Sequence, residues 1–430
     1  MATPTPGTRD SMLIFGALTL ALLFIVNQRL HASYLHPACL FSGMWFALLT
    51  GLILAGDAFN PISGVTVLIY LSGALSFTLG GRLVTRSAVR RPRLPQPAFE
   101  VKRIGRMIDA GICILLALLP FYWSRLSMIA EISAHHVFLT GVRAAMVENQ
   151  KDSFGVFTYV LSAGMLLSLI AAAIDDGSWW ARIRTVAIIA ITLGYYAVTG
   201  SRLGSEVTLI GVAAVGCLRS NRLYVGRLLL AGSLLLVIFT VPAIILNKGG
   251  DSRLSISDNA GGVAGSMRMY LLSGLVAFDQ VVTGSAPYMR PEYSLRPFYR
   301  AAQVLDSTIE VPPQNLPFTQ VPESGNIYSI YCGYYLGFGS PGICIAMLII
   351  GIALAWIYER ARAGSSQATV FYGLGVSFIL ISGAADPFLS GMSFNIQAVL
   401  FVYMVFLVAR LAPRHQKLGR PRVGRLVLAS

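Results

Sequence analysis

PESGNIYSIYCGYYLGFGSPGICIAMLIIGIALAWI, Pro322 to Ile357, holds the boundary from which the rest of the chain is read. Its first part, Pro322 to Gly342, is built of amide, hydroxyl and aromatic side chains with glycines at the turns. It closes the longest polar interval of the sequence, Asn247 to Ser340. Its second part, Ile343 to Ile357, carries no charge and suits a hydrocarbon core. Amides and aromatic rings beside such a run suit the wall of a sugar-binding mouth at a membrane surface better than a lipid-facing surface.

Composition agrees with the apolar half of that stretch. Of 430 residues, 55% are hydrophobic and only 12% charged, about half the charge of a soluble domain. The chain therefore reads as an all-α, polytopic integral membrane protein. Cys39, Cys113, Cys217, Cys332 and Cys344 are odd in number and far apart, and four of them fall in apolar runs. They read as packing residues rather than a disulfide framework or metal site. The net charge of +14 sits mainly in short turns beside apolar runs, which points to anionic lipid headgroups and not to nucleic acid.

Working outward, eleven runs have a length that suits a membrane span, which needs about 20 residues. They are Ser11 to Val26, Ala38 to Gly56, Ile62 to Gly81, Met107 to Trp123, Phe154 to Ile174, Ile183 to Thr199, Leu203 to Leu218, Leu228 to Leu246, Gly342 to Ile357, Val370 to Ala385 and Ile396 to Leu411. The stretch from Arg82 to Arg106 is the most basic connection, and assigning it to the cytoplasm fixes the others by alternation. Arg182 with Arg184, Arg219 with Arg222, Arg360 with Arg362 and the tail from Arg414 then share the cytoplasmic side. Four units result: 1–246 with about eight spans, an external loop 247–341, further spans over 342–411, and a basic cytoplasmic tail 412–430. The N-terminus is then external. Within the external loop, Met267, Leu271, Leu275, Phe278 and Val282 recur at helical spacing, which predicts an amphipathic helix near 263–283, lying on the outer surface or dipping into it.

Arginine on the external side runs against the charge rule. Arg202 stands in a turn too short to carry it far into water, so it is either a snorkelling or ion-paired residue, or a clamp whose planar fork grips phosphoryl oxygens. Arg143 and Arg268 lie on stretches of helical apolar spacing. Arg296 and Arg300 lie in the long loop, as do Arg253 and Arg290. His135 and His136 are adjacent, so on a helix they diverge and cannot both ligate one ion. The external carboxylates include Glu131, Asp279 and Glu323, the last three residues before Asn326. The sequence has no G-x-S-x-G, no Walker loop and no H-E-x-x-H, which argues against a hydrolase, an ATP-driven pump and a zinc protease.

Asn326, Tyr328 and Ser329, then Tyr334 and Tyr335, then Gly337-Phe338-Gly339 with Gly342, resemble a segment of the oligosaccharide repeat-unit polymerases, the Wzy-type O-antigen polymerases. That family tends to show N-x-Y-T, an aromatic pair and D-F-G-x-x-G. Gly337 stands where the family has an acidic residue, so a role for that carboxylate is not carried over. Thr199 to Arg202 and Tyr270 to Asp279 are weaker echoes of the same family. The resemblance implies a GT-C-like helical fold in the bacterial inner membrane, with the C-terminus cytoplasmic and the long loop periplasmic. It implies transfer of a glycan from a polyprenyl diphosphate carrier to a lipid-linked repeat unit, without nucleotide sugar, metal or other cofactor. A flippase and a chain-length regulator are the implied partners, beside membrane lipids. On this reading the catalytic candidates are Arg202, Arg143, Arg268 and Glu323. The substrate-binding candidates are Asn326, Tyr328, Tyr334, Tyr335, Tyr270, Arg296 and Arg300. An O-antigen ligase, a lipid-linked oligosaccharide flippase or other transporter, and a membrane scaffold are the alternatives.

Overall fold

A computed structural model describes residues 6–87, 98–132, 157–199, 201–220, 256–313 and 316–411, with a few isolated positions between them. The described chain is helical almost throughout: α1 (Pro6–His31), α2 (Pro37–Ala55), α3 (Gly64–Ser87), α4 (Ala98–Ile132), α5 (Phe157–Ile174), α6 (Trp179–Thr199), α7 (Arg202–Ser220), α8 (Ile256–Val282), α9 (Arg296–Leu305), α10 (Tyr331–Arg362), α11 (Ser366–Ile381) and α12 (Met392–Leu411). A two-residue antiparallel ladder, Thr319–Gln320 with Ser324–Gly325, is the only strand pairing among the described residues. The helical bias has a simple cause, because a chain in lipid must satisfy its backbone groups within each segment.

Among the described residues nine helices are long and apolar enough to cross a membrane, and α11 is a shorter apolar helix. The protein is a polytopic helical membrane protein. Ten of the eleven expected spans fall in these helices; the other, Leu228 to Leu246, lies outside the described residues apart from isolated positions.

Several basic residues gather on one face of the bundle. Arg184 at the start of α6 makes a bidentate pair with Asp109 of α4, at 2.6 and 2.9 Å. Arg103 near the start of α4 donates to the Ala409 carbonyl at the end of α12 at 3.1 Å. Arg219 at the end of α7 donates to the terminal carbonyls of α5, Ala172 and Ala173, at 3.1 and 2.6 Å, where a cation also meets the negative end of the helix dipole. At the end of α10, Arg360 lies 4.5 Å from the Trp356 ring, and Arg362 lies 5.6 Å from that of Tyr358. His31 and His36 stack at 3.5 Å beside the Tyr358 ring, closing the α1–α2 turn on the same face. Burial pushes His36 down to about 3, so it is neutral at physiological pH.

Between the faces, α3 and α10 form the closest pair. A Cβ on Gly80 would lie 2.3 Å from the Leu348 carbonyl oxygen, and one on Gly351 would lie 2.2 Å from that of Phe77. Small residues at a crossing let two backbones touch in lipid, where packing replaces the hydrophobic effect as the driving force. Beside this seam the rings of Trp45, Tyr70, Phe278 and Tyr331 pack at centroid distances of 4.7–6.2 Å. All four residues are at most 1% exposed.

Helix α8 corresponds to the expected amphipathic helix and enters the core instead of resting on the surface. Leu275, Val276, Ala277 and Phe278 are consecutive and buried, so this turn is enclosed on every side. The reason is polar as well as apolar. The Tyr70 hydroxyl donates to the Leu275 carbonyl at 2.8 Å, and Asp279 accepts from the Ser63 N–H at 2.8 Å and the Thr66 hydroxyl at 2.6 Å at the start of α3. The interval read as one loop therefore holds α8, α9 and the first turns of α10. Helix α10 begins at Tyr331 and breaks at Gly339, whose φ of 66° is left-handed, just before Pro341. The proline cannot donate a helical hydrogen bond, and glycine adopts the required backbone without a Cβ clash.

The α3–α10 seam gives a direct test. Gly351→Leu should cost about 2–4 kcal/mol through overpacking against backbone, read as a lower thermal midpoint of the detergent-solubilised protein. Gly194→Leu, where a Cβ meets nothing within 4 Å, should leave the midpoint near wild type.

Candidate functional site

A cavity of about 650 Å³ opens at the bundle end opposite the basic face. It lies where α5, α7, α10 and α12 begin and where α6 and α11 end. Its lining divides by origin. Helices within the spans supply Leu161, Met165, Val207, Phe378 and Phe394, whereas connecting segments supply Arg296's neighbour Ser294, together with Asn326, Ser329, Asp386 and Ser390. Arg296, at the start of α9, also lines it. The cavity thus has a polar mouth and an apolar floor.

The segment carrying Asn326 is fixed by backbone bonds from two sides. The Ser329 N–H donates to the Gly274 carbonyl of α8 at 3.1 Å, and the Ile330 N–H donates to the Ser382 carbonyl after α11 at 2.8 Å. Gly274 is needed there, since a Cβ would fall 2.2 Å from the Gly383 carbonyl oxygen. Tyr328 is buried, with its hydroxyl donating to the Pro317 carbonyl at 2.9 Å; burial raises its pKa above the ordinary tyrosine range. Asn326 is left half-buried on the cavity wall.

Arg296 donates through Nε to the Pro312 carbonyl at 3.0 Å. Burial, and then the neighbouring Arg300 charge, lowers its pKa from the ordinary value. Two guanidiniums one helical turn apart form a positive rim suited to an anionic group.

Asp386 is the carboxylate of the mouth. Its Oδ1 accepts from the Phe388 and Leu389 N–H groups at 3.0 and 3.1 Å, and Oδ2 accepts from the Ser390 N–H at 3.2 Å. The Tyr334 side chain hydrogen-bonds to it as well. Gly333 lets it approach, because a Cβ there would sit 3.3 Å from Oδ2. Burial raises the carboxyl to about 6, with the hydrogen bonds pulling the other way. Asp386 is not among the candidates drawn from the sequence. The available signal was an acidic residue before a proline in a short glycine- and serine-containing turn between two apolar runs.

Beside the cavity, on the next face of α7, Arg202 lies one turn from Glu206, which is buried and hydrogen-bonded to the Tyr270 side chain of α8. Two candidates, Arg202 and Tyr270, thus act on one carboxylate, Arg202 through its charge and Tyr270 through a hydrogen bond. The remaining candidates scatter. Arg268 is exposed, its guanidinium 5.9 Å from the Phe59 ring. Tyr335 packs edge-on against Phe278 at 5.6 Å. Glu323 is exposed in the turn of the small ladder, its carbonyl accepting from the Val321 N–H at 2.8 Å. Arg300 is exposed next to the mouth. Asp279, named among possible bases, is a buried helix cap. Arg143, His135 and His136 lie outside the described residues. Among the described residues no three His, Cys, Asp or Glu side chains converge.

The fold and the site together define a polytopic helical membrane protein with an amphipathic cavity at one end of its bundle. No family model, curated protein or solved structure matches the chain.

Asp386 makes stability depend on pH with a definite sign. From about pH 4 to about pH 6 the folded chain keeps a proton that the unfolded chain, with an ordinary value of 3.8, has released. Stability should fall by roughly 3 kcal/mol as pH rises across that window and level off above it. Thermal midpoints in detergent should show this decline for wild type and a flatter profile for Asp386→Asn.

Proposed function

We propose that this protein is a glycosyltransferase of the oligosaccharide repeat-unit polymerase type. It moves a growing glycan from a polyprenyl diphosphate carrier to the non-reducing end of a new lipid-linked repeat unit. The observation that carries the reading is the joining, in one cavity, of a polar mouth holding Arg296, Asn326 and Asp386 to an apolar floor holding Met165, Val207 and Phe378. A ligand with a hydroxyl-rich, anionic head and an apolar tail matches both halves, and neither a free sugar nor a simple lipid does.

In the transfer, an acceptor hydroxyl oxygen attacks the anomeric carbon of the donor glycan. The bond from that carbon to the diphosphate oxygen breaks, and the hydroxyl proton passes to a base or to solvent. Charge grows on the leaving diphosphate, where Arg296 and Arg300 provide charge-assisted hydrogen bonds. Asn326 and Tyr328 hold the sugar rings in line, and alignment by itself lowers much of the barrier. Arg202, through Glu206 and Tyr270, braces the α7 edge of the cavity.

The finer architecture belongs to the same proposal. The cavity face is periplasmic and the basic face, with the C-terminus, cytoplasmic in a bacterial inner membrane. The count is eleven spans in a GT-C-like arrangement. A flippase supplies the substrate, and a chain-length regulator acts on the product.

The test is the electrophoretic profile of envelope polysaccharide from a host lacking the gene. Wild type should restore a ladder. Asn326→Ala and Arg296→Ala, at wild-type abundance in the membrane, should leave mainly a single repeat-unit band, consistent with a loss of about 10²–10³ in rate for a removed transition-state donor. Arg202→Ala should also lose long chains. Polymer accumulating on the carrier in the deletion strain would make the protein a ligase, and a ladder indifferent to the gene would overturn the reading.

A further inference from the structure

The helix α9 is amphipathic in an inverted sense. Arg296, Tyr299, Arg300 and Gln303 share one side, and Phe298, Ala301, Val304 and Leu305 share the other. The polar side turns inward: Arg296 lines the cavity, and Gln303 donates to the Ile309 carbonyl at 3.3 Å. The apolar side faces outward, with Phe298 53%, Val304 85% and Leu305 91% exposed. In water such an arrangement exposes the face that should be covered.

The position of α9 says what covers it. The turn Pro291–Leu295 that leads into it rests on the first turns of α10, with the Ser294 hydroxyl donating to the Gly333 carbonyl. A Cβ on Gly337 would lie 3.4 Å from that of Ser294. Gly337 precedes the apolar run at Ile343 by only six residues, and the chain between them turns at Gly339, which keeps Gly337 near the edge of the hydrocarbon. α9 is therefore held at the level where α10 leaves the hydrocarbon. There an outward apolar face continues the lipid-facing surface of the spans.

We propose that α9 is an interfacial helix whose Phe298–Val304–Leu305 face is seated in the phospholipid leaflet at the rim of the cavity. The mouth then opens at the membrane surface itself and not above it. This assignment is independent of the reaction that the cavity supports.

The experiment uses the full chain reconstituted in vesicles of phosphatidylethanolamine and phosphatidylglycerol. Leu305→Cys and, separately, Glu310→Cys are labelled with a fluorophore, and the unsubstituted chain labelled in parallel gives the background from exposed Cys113. Both positions are exposed, so neither substitution disturbs packing. The label at Leu305 should be quenched several-fold more by a lipid nitroxide high on the acyl chain than the label at Glu310, and several-fold less by aqueous iodide. Equal iodide quenching at both positions, with no lipid quenching at Leu305, would overturn the proposal. Protection of Leu305 from both quenchers would also overturn it, by showing a protein surface, such as a second copy of the chain, in place of lipid.

Discussion

The carboxylate of Asp279 holds together parts of the chain more than 200 residues apart, through the Ser63 N–H and the Thr66 hydroxyl. A buried carboxyl group is tolerable where it is hydrogen-bonded, and here Oδ1 takes both bonds at the open end of α3, where the first N–H groups need an acceptor. The pairing seats α8 in the core. From α8, Gly274 then receives the Ser329 N–H, which fixes the segment that puts Asn326 on the cavity wall. The site therefore depends on a capping interaction that touches none of its residues.

The hydrophobic seam works alongside it. Gly80 and Gly351 bring α3 against α10, and this fixes the height of Tyr331 beside Tyr70, where its hydroxyl donates to the Tyr70 carbonyl at 3.3 Å. Tyr331 is the first residue of α10, so its anchoring sets where the helix begins and hence where Gly333 opens space for Asp386. One glycine pair deep in the bundle and one carboxylate at its rim thus determine the same mouth from opposite directions.

What the sequence disclosed follows the same division. Apolar runs are continuous signals, and the helices were legible from them, as was the gathering of basic residues on one face. The connecting segments were harder to read, because their structure comes from partners far away in sequence. The 3.6-residue spacing of Leu271, Leu275 and Phe278 was read correctly as a helix but not as a buried one, since nothing local announces that Tyr70 and Ser63 await it. Asp386 was passed over because a single acid in a short turn looks like any solvated loop residue until Gly333 and Tyr334 are brought against it. Asn326, Tyr328 and Arg296, candidates through the family resemblance, line the cavity. Glu323 and Tyr335, adjacent to the same motif, point elsewhere because a strand turn and a helix each change direction within a few residues.

The location of the cavity can be argued from the bilayer. Charges and amides are costly at the centre of the hydrocarbon, while an apolar ligand tail has no reason to leave it. A site that must hold both parts of such a ligand has one economical place, the level at which helices end and connecting segments begin. Helix starts there also present positive dipole ends, as those of α7, α10 and α12 do. The mouth therefore combines span-borne apolar side chains with loop-borne polar ones as a consequence of depth. An inverted amphipathic helix such as α9 at the same depth extends that logic outward, presenting the Arg296 guanidinium to the cavity and hydrocarbon to the leaflet.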